Sequence, residues 1–76
     1  MSQAEDILTA LGGKENIIEL EPCITRLRCE VEDPGLVNEA ALKSAGAMGV
    51  MRAGKLVQVI VGPQADVIAS DIEDLM

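Results

Sequence analysis

No phenylalanine, tyrosine, tryptophan or histidine occurs in this 76-residue chain. Without aromatic rings, binding of single-stranded nucleic acid by base stacking is excluded. An aromatic platform, a common seat for a sugar ring, is missing as well, so in any sugar chemistry the ring would be held by another subunit. Without histidine a phosphohistidine cannot form, and a phosphorylated intermediate would have to sit on Cys, Asp, Glu or a hydroxyl. Two thiolates with no imidazole do not fill a tetrahedral zinc shell. Neither a metal nor a cofactor is expected.

Cations are scarce too, with 6 Lys and Arg against 13 Asp and Glu and a net charge of -7. Nucleic-acid binding, which neutralises phosphates with Lys and Arg, is therefore not expected. Long apolar runs are absent. The strongest, Leu56 to Gly62, is interrupted by Gln58 and falls far short of the roughly 20 residues that span a bilayer. The start, Met1-Ser2-Gln3-Ala4-Glu5-Asp6, is acidic, unlike the basic opening of a secretory signal. The expectation is a cytoplasmic protein with no direct membrane insertion.

Cysteine is limited to Cys23 and Cys29. Along a strand they would stand roughly 20 Å apart, and a disulfide needs Cα atoms within about 7 Å. What remains is a core of Ala, Val, Ile, Leu and Met in one globular domain covering residues 1–76. A domain of this size buries only about 60% of its unfolded surface, so the core is thin.

Ser2 and Glu5 fit a capping box opening a helix from about Ala4 to Leu11. Ala4, Ile7, Leu8 and Leu11 follow helical spacing, and Gly12-Gly13 ends it. Asn16 to Glu21 reads as a strand and Pro22-Cys23-Ile24-Thr25 as a turn. Arg26 to Val31 is the clearest strand, with Leu27, Cys29 and Val31 on one face and Arg26, Arg28 and Glu30 on the other. Asp33-Pro34-Gly35 turns the chain. Asn38 caps a second helix, about Glu39 to Ala45, stopped by Gly46. Strands Gly49 to Ala53 and Leu56 to Val61 meet at Gly54-Lys55. Gly62-Pro63 opens a third helix, with Ile68, Asp71, Ile72 and Leu75 along one side. The order is αββαββα: an α+β open-faced sandwich, a four-stranded antiparallel sheet with three helices on one face.

Chemistry concentrates in Cys23-Ile24-Thr25-Arg26-Leu27-Arg28. A cysteine in a turn is exposed, whereas Cys29 alternates with core residues. Arg26 and Arg28, at i and i+2, share the polar face that begins at the turn. A thiol beside cations is the more readily a thiolate, and the thiolate is the nucleophile. Arginine forks bind phosphate oxygens two at a time, and successive backbone N–H groups in a turn form an anion-binding nest. Gln58, between Val57 and Val59, projects from the same open face or near it. Each feature has a plainer reading: an incidental surface thiol, a solvated face, a solvated glutamine. Met48 and Met51 read as core or strand-edge filler. The acidic residues from Asp66 to Asp74 read as the wet side of the last helix.

The sequence resembles the EIIB domains of the glucose and N-acetylglucosamine branch of the phosphoenolpyruvate-dependent sugar phosphotransferase system. The resemblance rests on Leu11-Gly12-Gly13-Lys14-Glu15-Asn16-Ile17, on Cys23 to Arg28, on Leu42 through Gly49, and on Val57 through Gly62. It implies a relay in which phosphate passes from phosphoenolpyruvate through enzyme I and HPr to a histidine of EIIA. From there it would reach Cys23, and then a sugar held by membrane EIIC. By the same resemblance Cys23 is the phosphocysteine and Arg26 and Arg28 serve transfer to sugar. Backbone N–H groups around Ile24 and Thr25, with Gln58, would cradle the phosphate. A free acidic monomer making transient contacts is expected, and the resemblance places it in the cytoplasm, meeting the inner face of the membrane through EIIC. Two departures are Pro22, where a small residue is more usual, and Cys29, where an aliphatic one is. A free-standing subunit is expected in preference to an excised domain. The competing classes are a thiol-redox protein, for which a nearby resolving cysteine is missing, and a non-catalytic module binding partners through the open face.

Overall fold

In the computed structural model, which describes residues 2–76, two β-hairpins join edge to edge and three helices cover one side. Helix α1 (Gln3–Ala10) is followed by strands β1 (Ile17–Cys23) and β2 (Arg26–Val31), helix α2 (Glu39–Ser44), strands β3 (Gly49–Ala53) and β4 (Leu56–Ile60), and helix α3 (Ala65–Leu75). Short 3₁₀ turns at Lys14–Asn16 and Pro34–Leu36 lead into β1 and out of β2. All pairings are antiparallel in the order β1-β2-β4-β3, so β2 and β4 are central. The αββαββα reading and the one-sided helical layer are confirmed. Helix α1 packs on α2 and α3, α3 lies on β1 and β2, and α2 lies against β3.

Caps set the first two helices. Ser2 Oγ accepts from the Glu5 N–H at 3.2 Å, and Asn38 Oδ1 accepts from that of Ala41 at 3.0 Å. Helix α3 begins later than Gly62-Pro63, with Gln64 as its unbonded cap. Its buried stripe is Ala65, Ile68, Ala69 and Ile72, while Asp71 and Leu75 are exposed. Alanine at position 69 lets the helix approach the sheet, a role the larger side chains had masked. Leu27, Cys29, Val31, Val57 and Val59 meet these helices and are fully buried. Each large aliphatic side chain so buried contributes about 1.5–3 kcal/mol.

The first strand runs two residues further than expected. Pro22 and Cys23 belong to it, which leaves a loop of Ile24 and Thr25 alone. Proline is tolerated because β1 is an edge strand, where a missing N–H breaks no second ladder. A register shift lies between Ile17 and Glu19: Ile17 opposes Val31 and Glu19 opposes Glu30, with Ile18 as the extra residue. Beyond it Leu20 opposes Cys29, Glu21 opposes Arg28 and Cys23 opposes Arg26.

Asn16, buried to 3% exposure, locks the entry to this strand. Its Nδ2 donates to the carbonyls of Leu11 at 2.8 Å and Asp33 at 3.1 Å, and its Oδ1 accepts from the Asp33 N–H at 2.9 Å. One side chain thus ties the end of α1 to the turn after β2. Gly12 makes room for it: a Cβ there would lie 2.6 Å from Asn16 Nδ2, and the φ of +106° suits glycine alone. Asn16→Ala leaves those three groups without their partner. A loss of about 3 kcal/mol is expected, seen as a fall of more than about 10 °C in the circular-dichroism melting midpoint.

Candidate functional site

Cross-strand partners share a face, so the register collects Cys23, Arg26, Arg28 and Gln58 on the open side of the sheet. Cys23 is exposed at the end of β1 with Arg26 opposite, and Arg28 stands between Glu21 on β1 and Gln58 on β4. All the residues singled out in the sequence lie on this face or in the loop that closes it. Arg26, however, directs its guanidinium over β4. Its Nη1 donates to Gln58 Oε1 at 2.9 Å and lies 4.0 Å from Met51 Sδ on β3.

The loop beside the thiol is under backbone constraint. Ile24 has a φ of +59°, the one positive value outside glycine among the described residues. A β-branched residue there is a sharp departure from its preferences, since this is the first central position of a two-residue hairpin loop where glycine is usual. Thr25 explains how the conformation is held. Its carbonyl accepts from the Val61 N–H at 3.0 Å and the Gly62 N–H at 2.9 Å, tying the loop to the end of β4. The N–H groups of Ile24 and Thr25 find no acceptor among the described residues. An exposed thiol thus adjoins two donors uncommitted among the described residues and a strand bearing two guanidinium groups.

Several features were not read from the sequence. Glu21 shares the open face with Cys23, and with Glu19, Glu30 and Leu56 it lines a shallow depression around Arg28. The adjacent pair Ile17-Ile18, which interrupts alternation, was the available signal. Met48 and Met51 are not core: they are 69% and 52% exposed, and Ile24 is 87% exposed. The rim of the site is apolar although the chain is acidic. Cys29 sits on the helical side, and burial pushes its thiol up from 9.0 to about 12. Among the described residues no helix is long and apolar enough to cross a membrane.

Comparison with known proteins shows the family and the fold. The model of the family "phosphotransferase system, EIIB" matches residues 5–38. A curated relative from Streptomyces coelicolor, described as "PTS system N-acetylglucosamine-specific EIIB component", is 61% identical over 75 residues, covering 99% of this chain and 97% of that one. A crystal structure of one domain of the PTS system IIabc component from Clostridium difficile superposes with a TM-score of 0.81 at 25% identity, covering 97% of this chain and 78% of that chain. The chain belongs to the EIIB family of the sugar phosphotransferase system. It is accordingly a phosphotransferase component acting in sugar uptake, and EIIB components work with EIIA and EIIC partners.

The two thiols are expected to behave differently. In the folded protein at pH 8, iodoacetamide should modify Cys23 alone, and in urea both, as read by intact mass. Because folding holds the Cys29 proton more tightly, its contribution to stability is full below pH 9.0 and is lost as pH rises towards about 12. Denaturant titrations should show stability falling by up to about 1.4 kcal/mol per pH unit in that window, a loss that Cys29→Val does not show.

Proposed function

We propose that Cys23 is the phosphoryl acceptor of this EIIB component. It takes the group from a phosphohistidine of EIIA and delivers it to a sugar bound by membrane EIIC. The observation that carries this reading is the loop itself. An exposed thiol adjoins a left-handed Ile24 whose N–H, with that of Thr25, has no acceptor among the described residues. Such a loop is an anion nest beside a nucleophile.

In the first step the Cys23 thiolate attacks phosphorus in line. The S–P bond forms as the P–N bond breaks, and the donor imidazole leaves with the electron pair. In the second, a sugar hydroxyl oxygen forms its bond to phosphorus as the S–P bond breaks. The hydroxyl proton passes to a base, and the thiolate is restored. Positioning and charge stabilisation are all that such transfers require. The Ile24 and Thr25 N–H groups meet the phosphoryl oxygens, and Arg26 and Arg28 offset the charge that migrates during transfer to sugar. Gln58 enters the constellation through its bond to Arg26.

Glucose or N-acetylglucosamine is the sugar class, and the description of the Streptomyces relative favours the second. The protein works as a monomer in the cytoplasm and meets the membrane's inner face through EIIC. Absent aromatic residues fit that division of labour, since the ring is held elsewhere.

The test is transfer from phosphoenolpyruvate through enzyme I, HPr and a glucose- or N-acetylglucosamine-type EIIA. Trypsin separates the two cysteines, because peptide 15–26 contains Cys23 alone. One phosphate should appear on that peptide and none in Cys23→Ser, which keeps its fold. Arg26→Lys should still be labelled, but its transfer to sugar through EIIC should fall roughly tenfold or more, since an ammonium cannot replace the two-pronged fork. Absence of label with charged EIIA would leave a partner-binding module as the better reading.

A further inference from the structure

Arg26 and Cys23 oppose each other across the first hairpin, yet the Arg26 guanidinium reaches the other way. Cys23 lies on β1, on one side of β2, while Gln58 and Met51 lie on β4 and β3, on the other. The 2.9 Å bond to Gln58 Oε1 holds Arg26 there, with the Met51 thioether beside it. We propose that Gln58 is a positioning residue for Arg26, holding the guanidinium over β4 while Cys23 is bare and yielding it to the phosphoryl group on arrival. The inference rests on the carrier function of Cys23.

Geometry favours this role over direct contact between Gln58 and the phosphoryl group. Strand β4 is two inter-strand spacings from β1, roughly 10 Å. Along the strands Gln58 stands level with Arg28, two residue pairs from the Cys23–Arg26 level. The amide oxygen is engaged by Arg26 and, being an acceptor, offers nothing to an anion, while the amide N–H groups that could donate stand across β2 from Cys23. Arg26 differs: its Cα is the cross-strand partner of Cys23, roughly 5 Å away. A change of side-chain rotamer brings its fork to a group on Cys23, with no movement of the backbone.

The exchange has a direction. A neutral amide accepts one hydrogen bond from the guanidinium, whereas a phosphoryl dianion accepts two charge-assisted ones. Arg26 therefore leaves Gln58 when Cys23 is loaded and returns when it is empty. Breaking the Gln58 bond offsets part of what Arg26 gives the thiophosphate. The group is held less tightly and stays transferable, as a carrier between two partners requires.

The experiment measures the equilibrium of phosphate between phosphorylated EIIA and this chain. It compares the wild type, Gln58→Leu, Gln58→Met, Arg26→Met and the Gln58→Leu/Arg26→Met double variant, with melting curves confirming the fold of each. Removing the hold should shift the equilibrium towards phosphorylated Cys23, roughly tenfold for a charge-assisted bond. The shift should vanish when Arg26 is also Met. A shift the other way, or one that persists without Arg26, would make Gln58 a phosphate ligand and overturn the proposal. Exchange of the Arg26 guanidinium protons in the bare protein, followed by ¹⁵N NMR, is a readout independent of transfer. Gln58→Leu should accelerate it several-fold, and unchanged exchange would refute the hold. Failure of the carrier reading would look different, since the wild type itself would then take no phosphate.

Discussion

The extra residue at Ile18 decides which way the chemistry faces. Side chains alternate along a strand, so an unbroken β1 starting with Ile17 towards the helices would turn Glu19, Glu21 and Cys23 inward as well. Two carboxylates would then enter an apolar layer, at a cost of several kcal/mol each. The bulge reverses the parity after Ile17. Ile17 and Leu20 both face the helices, and Cys23 emerges opposite Arg26 on the open side. Asn16 makes the arrangement rigid, because its three hydrogen bonds pin the residue just before the bulge to the end of α1 and the turn after β2. The glycines before it serve that packing. The Gly-Gly-Lys-Glu-Asn stretch, which looks like a functional signature, here acts by aiming a strand.

A second constraint acts at the other end of the same strand. The left-handed Ile24 costs on the order of 1–3 kcal/mol, and the surrounding framework must repay it. The Thr25 carbonyl is doubly bonded to the end of β4, and the flanking strands are both laddered to β2. The loop therefore cannot relax without loosening the junction between the two hairpins. Strain at an exposed residue, held by the central sheet and next to a thiol, leaves two N–H groups without a partner among the described residues, where an anion can reach them. The same residue exposes an apolar side chain where solubility alone would place a polar one.

Much of this fold was legible because its signals are local. Ser2 and Asn38 are side-chain caps whose bonds form within three residues, and the β2 alternation from Arg26 to Val31 states its own two faces. The less legible parts depend on partners distant in sequence. Pro22 looks like a turn residue until β1 is known to be an edge strand. Glu21 looks solvated until the bulge sets it opposite Arg28. Met48 and Met51 have the composition of core residues, and only the sheet order leaves them on the rim. At the site, Gln58 was set on the open face or near it and joined to the others by the resemblance, while the placing of Arg26 and Arg28 on one face beginning at the Cys23 turn followed from spacing. The direction of the Arg26 side chain did not, because it is set by a residue 32 positions away on another hairpin.

The charge balance explains why so few cations suffice. A chain with a net charge of -7 repels a dianion at long range, and at roughly 8 Å of screening in physiological salt only nearby groups decide the outcome. Two of the six cations stand on the face with Cys23, and Glu21 opposes one of them. Under the proposed carrier role of Cys23, local attraction positions the phosphoryl group and local repulsion keeps it from being trapped. Binding too tightly would defeat a protein whose task is to pass the group on. Under the same proposal, the carboxylate of Glu21 opposite Arg28 and the Gln58 amide bonded to Arg26 act in the same sense, each tempering a cation that unopposed would hold its cargo.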